Sequence, residues 1–136
     1  MIERVLVVDD DADIRAIVRI ALESIAGWRV GFATNGADAV ASARRERPDV
    51  ILLDVMMPDQ DGPTTLAQLK SDPETRAIPV LFVTAKVRRE EVNALLSLGA
   101  RGVIGKPFDP IELPSEILRA LEGAVPSSGV SSGVRA

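Results

Sequence analysis

Apolar and polar positions along the chain form two alternating kinds of segment. Short apolar runs rich in β-branched residues lie at residues 4–9 (RVLVVD), 29–34 (RVGFAT), 49–54 (DVILLD), 79–84 (PVLFVT) and 101–106 (RGVIGK). Each is too short for a lone helix and too uniformly apolar for a strand with one wet face, so the pattern predicts strands buried on both faces. Between them the period changes. Within residues 11–27, Ile14, Ile17, Val18, Ala21, Leu22 and Ile25 recur at helical spacing, and Gly27 supplies a stop. Asn35 can cap a second helix that runs to about Arg47 before Pro48. Gly62 to Ser71 makes a third, and Arg88 to Leu98, stopped by Gly99, a fourth. A last helix spans about Asp109 to Glu122, but Pro114 should break its first turns, so regular helix is expected from near Leu113.

Five strands alternating with five helices predict an α/β fold. Its core is a doubly wound parallel sheet with helices on both faces and right-handed crossovers. Residues 1–123 would form this domain. Residues 124–136, small, polar and Gly/Ser-rich without periodicity, are expected to be a flexible tail.

Composition narrows the chemistry. The 136 residues are 46% hydrophobic, enough for one domain with a sizeable core. The net charge is -4, and the basic residues cluster no further than Arg44-Arg45 and Arg88-Arg89, which argues against direct nucleic-acid binding. The chain has no cysteine and no histidine. Disulfides, thiolate metal sites and the usual general base are therefore excluded, leaving carboxylates, hydroxyls, lysine and a bound ion. Met1-Ile2-Glu3-Arg4 leads straight into the first strand and no apolar run approaches membrane-spanning length, so a cytoplasmic protein without membrane contact is expected.

In open parallel sheets the ligand crevice lies beyond the C-terminal strand ends, where strand order reverses. Those ends carry Asp9-Asp10-Asp11, Asp54, Thr84 and Lys106. With a strand order of 2-1-3-4-5, Asp9, Asp10 and Asp54 converge on one pocket with Thr84 and Lys106 beside it. Three carboxylates with one lysine call for another cation. Hard oxygen ligands without His or Cys favour Mg²⁺ or Mn²⁺, and Mg²⁺ commonly completes its shell with waters and a phosphate. The metal in turn points to phosphoryl transfer. Asp54 can serve as nucleophile, with Lys106 and the Thr84 hydroxyl binding phosphoryl oxygens. A hydroxyl engaged only when phosphate is present would couple this chemistry to movement of the following loop.

The motifs VVDDD, DVILLDVMMPDQDG, PVLFVTA and GARGVIGKPFDP occur in this order at strand ends. Over residues 4 to about 122 the chain resembles the flavodoxin-like receiver domain of two-component response regulators. The resemblance implies that Asp54 accepts a phosphoryl group from a phosphohistidine on a partner histidine kinase or phosphotransfer protein. It implies that Asp10, Asp54 and the backbone carbonyl of Met56 ligate Mg²⁺, with Asp9 acting largely through metal-bound water. Lys106 would pair with the phosphoryl group, Thr84 would be the switch hydroxyl, and a cis peptide before Pro107 would aim Lys106 into the site. Such a chain is a phosphoacceptor that promotes its own phosphorylation and dephosphorylation rather than a turnover enzyme. Two features depart from the family. Val103 stands where the family usually places a switch aromatic, and Met56 and Lys86, at positions that tune acyl-phosphate hydrolysis, offer no evident base, so slow self-dephosphorylation is expected.

Other readings compete at single residues. Asp11 reads as a helix cap, Asp13 as a solvated first-turn charge, Asp59 and Asp61 as turn residues, and Trp28 as a half-buried anchor. Among other functions, an Mg²⁺-dependent aspartyl phosphatase would need an acid/base two residues after its nucleophile, where Met56 stands. A flavodoxin-like cofactor binder would need a neutral phosphate loop where DDDAD lies. A degenerate receiver acting purely as an interaction module is the remaining alternative. The expected output of a stand-alone receiver is a change in protein contacts over residues 88–122, with phosphorylation-dependent dimerisation left open.

Overall fold

The computed structural model describes residues 1–122; the expected tail lies outside the described residues. Strands β1 (Arg4–Val8), β2 (Arg29–Ala33), β3 (Val50–Asp54), β4 (Val80–Thr84) and β5 (Gly102–Gly105) alternate with helices. The helices are α1 (Ala12–Arg19, continued through Ile20–Ile25), α2 (Gly36–Glu46), α3 (Gly62–Ser71), α4 (Arg89–Ser97) and α5 (Leu113–Leu121). The sheet order is β2-β1-β3-β4-β5 and every pairing is parallel, the doubly wound topology read from the sequence.

Strand alternation divides the core in two. Val5, Val7, Val50, Leu52, Leu81 and Val83 face one side, where Val18, Leu22, Leu113 and Ile117 of α1 and α5 cover them. Leu6, Val8, Ile51, Leu53, Val80 and Phe82 face the other, under Ala39 and Ala43 of α2 and Leu66 and Leu69 of α3. Each fully buried Leu, Ile or Phe contributes roughly 1.5–3 kcal/mol relative to an exposed one. Burial on both faces holds for most of β1 and for all of β3 and β4. It does not hold for β2 and β5, which are mostly half-exposed because they are the sheet edges and lie only partly under the helix layers.

Local chemistry sets the element ends. Asp11 caps α1 by accepting the Asp13 and Ile14 N–H groups, Asn35 caps α2 through the Asp38 N–H, and Asp61 caps α3 through the Thr64 N–H. The first helix is less regular than its spacing suggests. Residues Ile20–Ile25 are π-helical, and Ala26 N–H donates to the Ala21 carbonyl at 3.2 Å. Gly27, at φ +77°, then ends the helix, and Trp28 packs half-buried on the α1/α5 side of the core. Residues 110–112 are turns, and α5 begins at Leu113, one residue before Pro114. Proline is tolerated in a first turn because its missing N–H would have no helical partner there. Among the described residues, no helix is long and apolar enough to cross a membrane.

Candidate functional site

The pocket forms where three chain segments leave the sheet at its C-terminal edge. Asp9 follows β1, Asp54 ends β3, and Lys106 follows β5. Sequence separations of 97 and 52 residues close to side-chain contacts here: Lys106 Nζ lies 3.2 Å from Asp9 Oδ2 and 3.3 Å from Asp54 Oδ1. Asp9 and Asp54 keep only 3% and 6% exposure, so their charges are largely removed from water. Asp10 is exposed, yet one oxygen each from Asp9, Asp10 and Asp54 lie within 4.8 Å of one another.

Backbone groups fix these side chains. Asp9 Oδ1 accepts the Asp11 N–H at 2.9 Å, and Asp54 Oδ1 accepts the Met56 N–H at 3.3 Å. Gly62 N–H donates to the Val55 carbonyl at 2.8 Å, closing the loop after Asp54. The Lys106–Pro107 peptide is cis. Thr84, 5% exposed, stands differently from the other site residues: its Oγ1 accepts the Lys86 N–H at 3.0 Å, and its carbonyl accepts the Lys106 N–H at 2.8 Å. It is thus tied to the β4–α4 loop by side chain and to Lys106 by backbone. The Met56 side chain is 67% exposed.

The electrostatics show an excess of negative charge. Burial, and then the neighbouring Asp9 carboxylate, raise the Asp54 pKa, against the opposing pull of Lys106 and the Met56 N–H. Burial disfavours the Lys106 ammonium, but Asp9 and Asp54 outweigh it and hold its pKa above the ordinary lysine value. One ammonium therefore does not satisfy the pocket, and the oxygen-only donor set suits a hard divalent cation.

Two further residues support the pocket. Arg15 Nη1 donates to the Asp9 carbonyl at 2.9 Å, anchoring the β1–α1 turn. The sequence carries a faint signal for it: a basic side chain near a helix N-terminus opposes the helix dipole and so wants a local acceptor. Asp59, which the sequence offers only as a turn residue, accepts the Gly36 N–H at 3.2 Å across two loops.

Residues 5–118 match the family model of the response regulator receiver domain. The chain belongs to this receiver family. It is similar to the probable transcriptional regulatory protein TcrX of Mycobacterium tuberculosis, 41% identical over 131 residues, which are 96% of this chain and 54% of that protein. Protein PilH of Pseudomonas aeruginosa is 40% identical over 120 residues, 88% of this chain and 98% of PilH. The response regulator PleD of Caulobacter vibrioides shares 44% over 115 residues, 83% of the chain but 25% of PleD. The receiver chain thus spans about half the length of TcrX and a quarter of PleD. Among solved structures, the chemotaxis response regulator CheY4 of Vibrio cholerae superposes with a TM-score of 0.81 at 32% identity, covering 88% of this chain and 99% of CheY4. Receivers of this family are phosphoacceptors.

Proposed function

We propose that this receiver takes a phosphoryl group onto Asp54 from a phosphohistidine of a histidine kinase or phosphotransfer protein and passes the signal on through altered protein contacts. The observation that carries the reading is the buried Asp9–Lys106–Asp54 contact at the C-terminal end of the parallel sheet. In the transfer, an Asp54 carboxylate oxygen forms a bond to phosphorus. The P–N bond of the donor breaks, its electron pair returning to the imidazole nitrogen, which regains a proton from solvent. Lys106, already between the two carboxylates, is placed to exchange its contact with Asp54 for one with a phosphoryl oxygen. The Thr84 hydroxyl can donate to a second, and because Oγ1 also holds the Lys86 N–H, that donation bears on the β4–α4 loop.

Asp9, Asp10, Asp54 and the Met56 carbonyl would hold Mg²⁺, or Mn²⁺ in its place. The unbalanced carboxylates and the raised Asp54 pKa support such a site. Bound there, the cation would screen the repulsion between Asp54 and the incoming phosphoryl group. The receiver domain is proposed to occupy residues 1–123. A stand-alone arrangement is proposed by analogy with PilH, which the chain spans almost fully.

The test is intact mass after incubation with acetyl phosphate. One added phosphoryl group is expected in the wild type with Mg²⁺, and none without Mg²⁺ or in Asp54→Asn. Absence of an adduct under rapid quenching with excess donor would overturn the acceptor role. The adduct should then decay over minutes or longer, since neither Met56 nor Lys86 supplies a base. A half-life of seconds would refute that.

A further inference from the structure

The loop between β3 and α3 is pinned at almost every residue. Met57 is buried in the core under α2 and α3, and Asp61 caps α3. Gln60 Nε2 donates to Thr65 Oγ1 at 2.8 Å and to Gln68 Oε1 at 3.2 Å. These polar ties stay within the loop and α3. The Asp59 bond crosses to another helix: its Oδ2 accepts the N–H of Gly36, the first residue of α2. That N–H lies in the first turn of α2, where no intrahelical acceptor exists and the helix dipole favours a carboxylate. Asn35 already takes the Asp38 N–H, so the two side chains take two of the free donors of this turn.

The junction is tight as well as bonded. Gly36 is buried, and a Cβ there would collide with the Thr65 hydroxyl and the Gln60 amide. The start of α2 therefore lies directly against the loop and the first turn of α3. Between this junction and Asp54 lies Met56, whose exposed side chain makes little contribution to holding its own backbone. Its position is set by neighbours: the Met56 N–H bond to Asp54 on one side, and buried Met57 followed by exposed Pro58 and Asp59 on the other. Pro58 removes one backbone freedom from this short link.

We infer that Asp59 is a positioning residue for the metal: by fastening the β3–α3 loop to the start of α2, it holds the Met56 carbonyl at the acidic cluster. This rests on the proposed reading in which that carbonyl is a ligand. Asp59 touches neither metal nor phosphoryl group and acts through the loop.

The test uses Asp59→Ala and Asp59→Asn, the latter keeping an oxygen acceptor for Gly36. Acetyl phosphate labelling is followed against Mg²⁺ concentration by intact mass. Asp59→Ala should raise the Mg²⁺ concentration at half-maximal rate by about 3–10-fold, below the roughly 10–100-fold lost when a group bonded directly to a ligand is removed, because Asp59 acts through the loop. The rate at saturating Mg²⁺ should stay within about twofold, and Asp59→Asn should restore most of the affinity. Amide exchange at Gly36 should quicken in Asp59→Ala alone. An unchanged Mg²⁺ dependence in Asp59→Ala, or equal losses in both variants, would overturn the positioning role while leaving the acceptor chemistry intact. A wild type whose labelling ignores Mg²⁺ would overturn the positioning role together with the metal site on which it rests, and the wild-type curve alone distinguishes that case.

Discussion

Replacing Gly62 by alanine tests how closely the loop after Asp54 is fitted to the sheet. Gly62 is buried at the first position of α3. A Cβ added there would stand 2.5 Å from the Asp54 carbonyl oxygen and 2.9 Å from both Val55 Cα and Phe82 Cε1, where ordinary contact begins at 3.4 Å. Two of these three atoms belong to the backbone, so no rotamer change relieves the clash, and a shift of about 1 Å must fall on the loop itself. The same shift strains the 2.8 Å bond from Gly62 N–H to the Val55 carbonyl. Overpacking costs about 1–3 kcal/mol and partial loss of a buried hydrogen bond about 1 kcal/mol more. Alanine's better helix propensity recovers little at a first-turn position, so a net loss of about 2–3 kcal/mol is expected. With an m-value of about 1.5 kcal/mol/M in urea, the unfolding midpoint should fall by roughly 1.3–2 M. Gly27→Ala is the control with the opposite geometry. Nothing lies within 4 Å of its Cβ position, but φ is +77°, so only the backbone penalty of about 1 kcal/mol applies. Because the displaced atoms include the carbonyl of Asp54, Gly62→Ala should also slow acetyl phosphate labelling by about tenfold or more, while Gly27→Ala leaves it unchanged. A loss below about 0.5 kcal/mol in Gly62→Ala, or one smaller than in Gly27→Ala, would refute the packing argument.

Lys106→Met strands Asp9 and Asp54 without their ammonium. Without divalent ions it should cost about 2 kcal/mol in urea unfolding, less than a fully buried pair because the lysine side chain keeps 21% exposure. Saturating Mg²⁺ should recover part of the loss, and a variant as stable as wild type in metal-free buffer would show that the pair does not hold the pocket. Asp49 accepts the Glu3 N–H at 2.7 Å and the Arg4 N–H at 2.9 Å, in that order the main reasons its pKa lies below the ordinary 3.8, with slight burial opposing. A depressed folded-state pKa stabilises fully above the unfolded value and is lost as pH falls from 3.8 through the folded value. The melting-temperature gap between wild type and Asp49→Asn should therefore be widest near neutrality and close in acid; a gap that widens below about pH 4 would contradict the assignment.

The sequence by itself determined the architecture and the chemical inventory. Apolar runs of strand length between helical periods leave few ways to bury their side chains, and parallel strands with crossover helices are the economical one. Strand-end aspartates and a lysine, without histidine or cysteine, pointed to the hard-cation and phosphoryl chemistry proposed above. Even the start of α5 was legible, because the cause, the fixed ring of Pro114, is local. What only the tertiary structure decided depends on distance along the chain. That Lys106 reaches both Asp9 and Asp54, and that Asp59 ties the β3–α3 loop to Gly36, follow from packing between segments far apart in sequence. The Thr84–Lys86 and Arg15–Asp9 bonds span only two and six residues, but they depend on how each turn leaves its strand, which apolar periodicity does not report. The half-exposed edges of the sheet and the π-helical end of the first helix also escaped the pattern. Periodicity reports which residues seek burial, whereas the helix layers decide how much burial each strand receives and how closely two loops can approach.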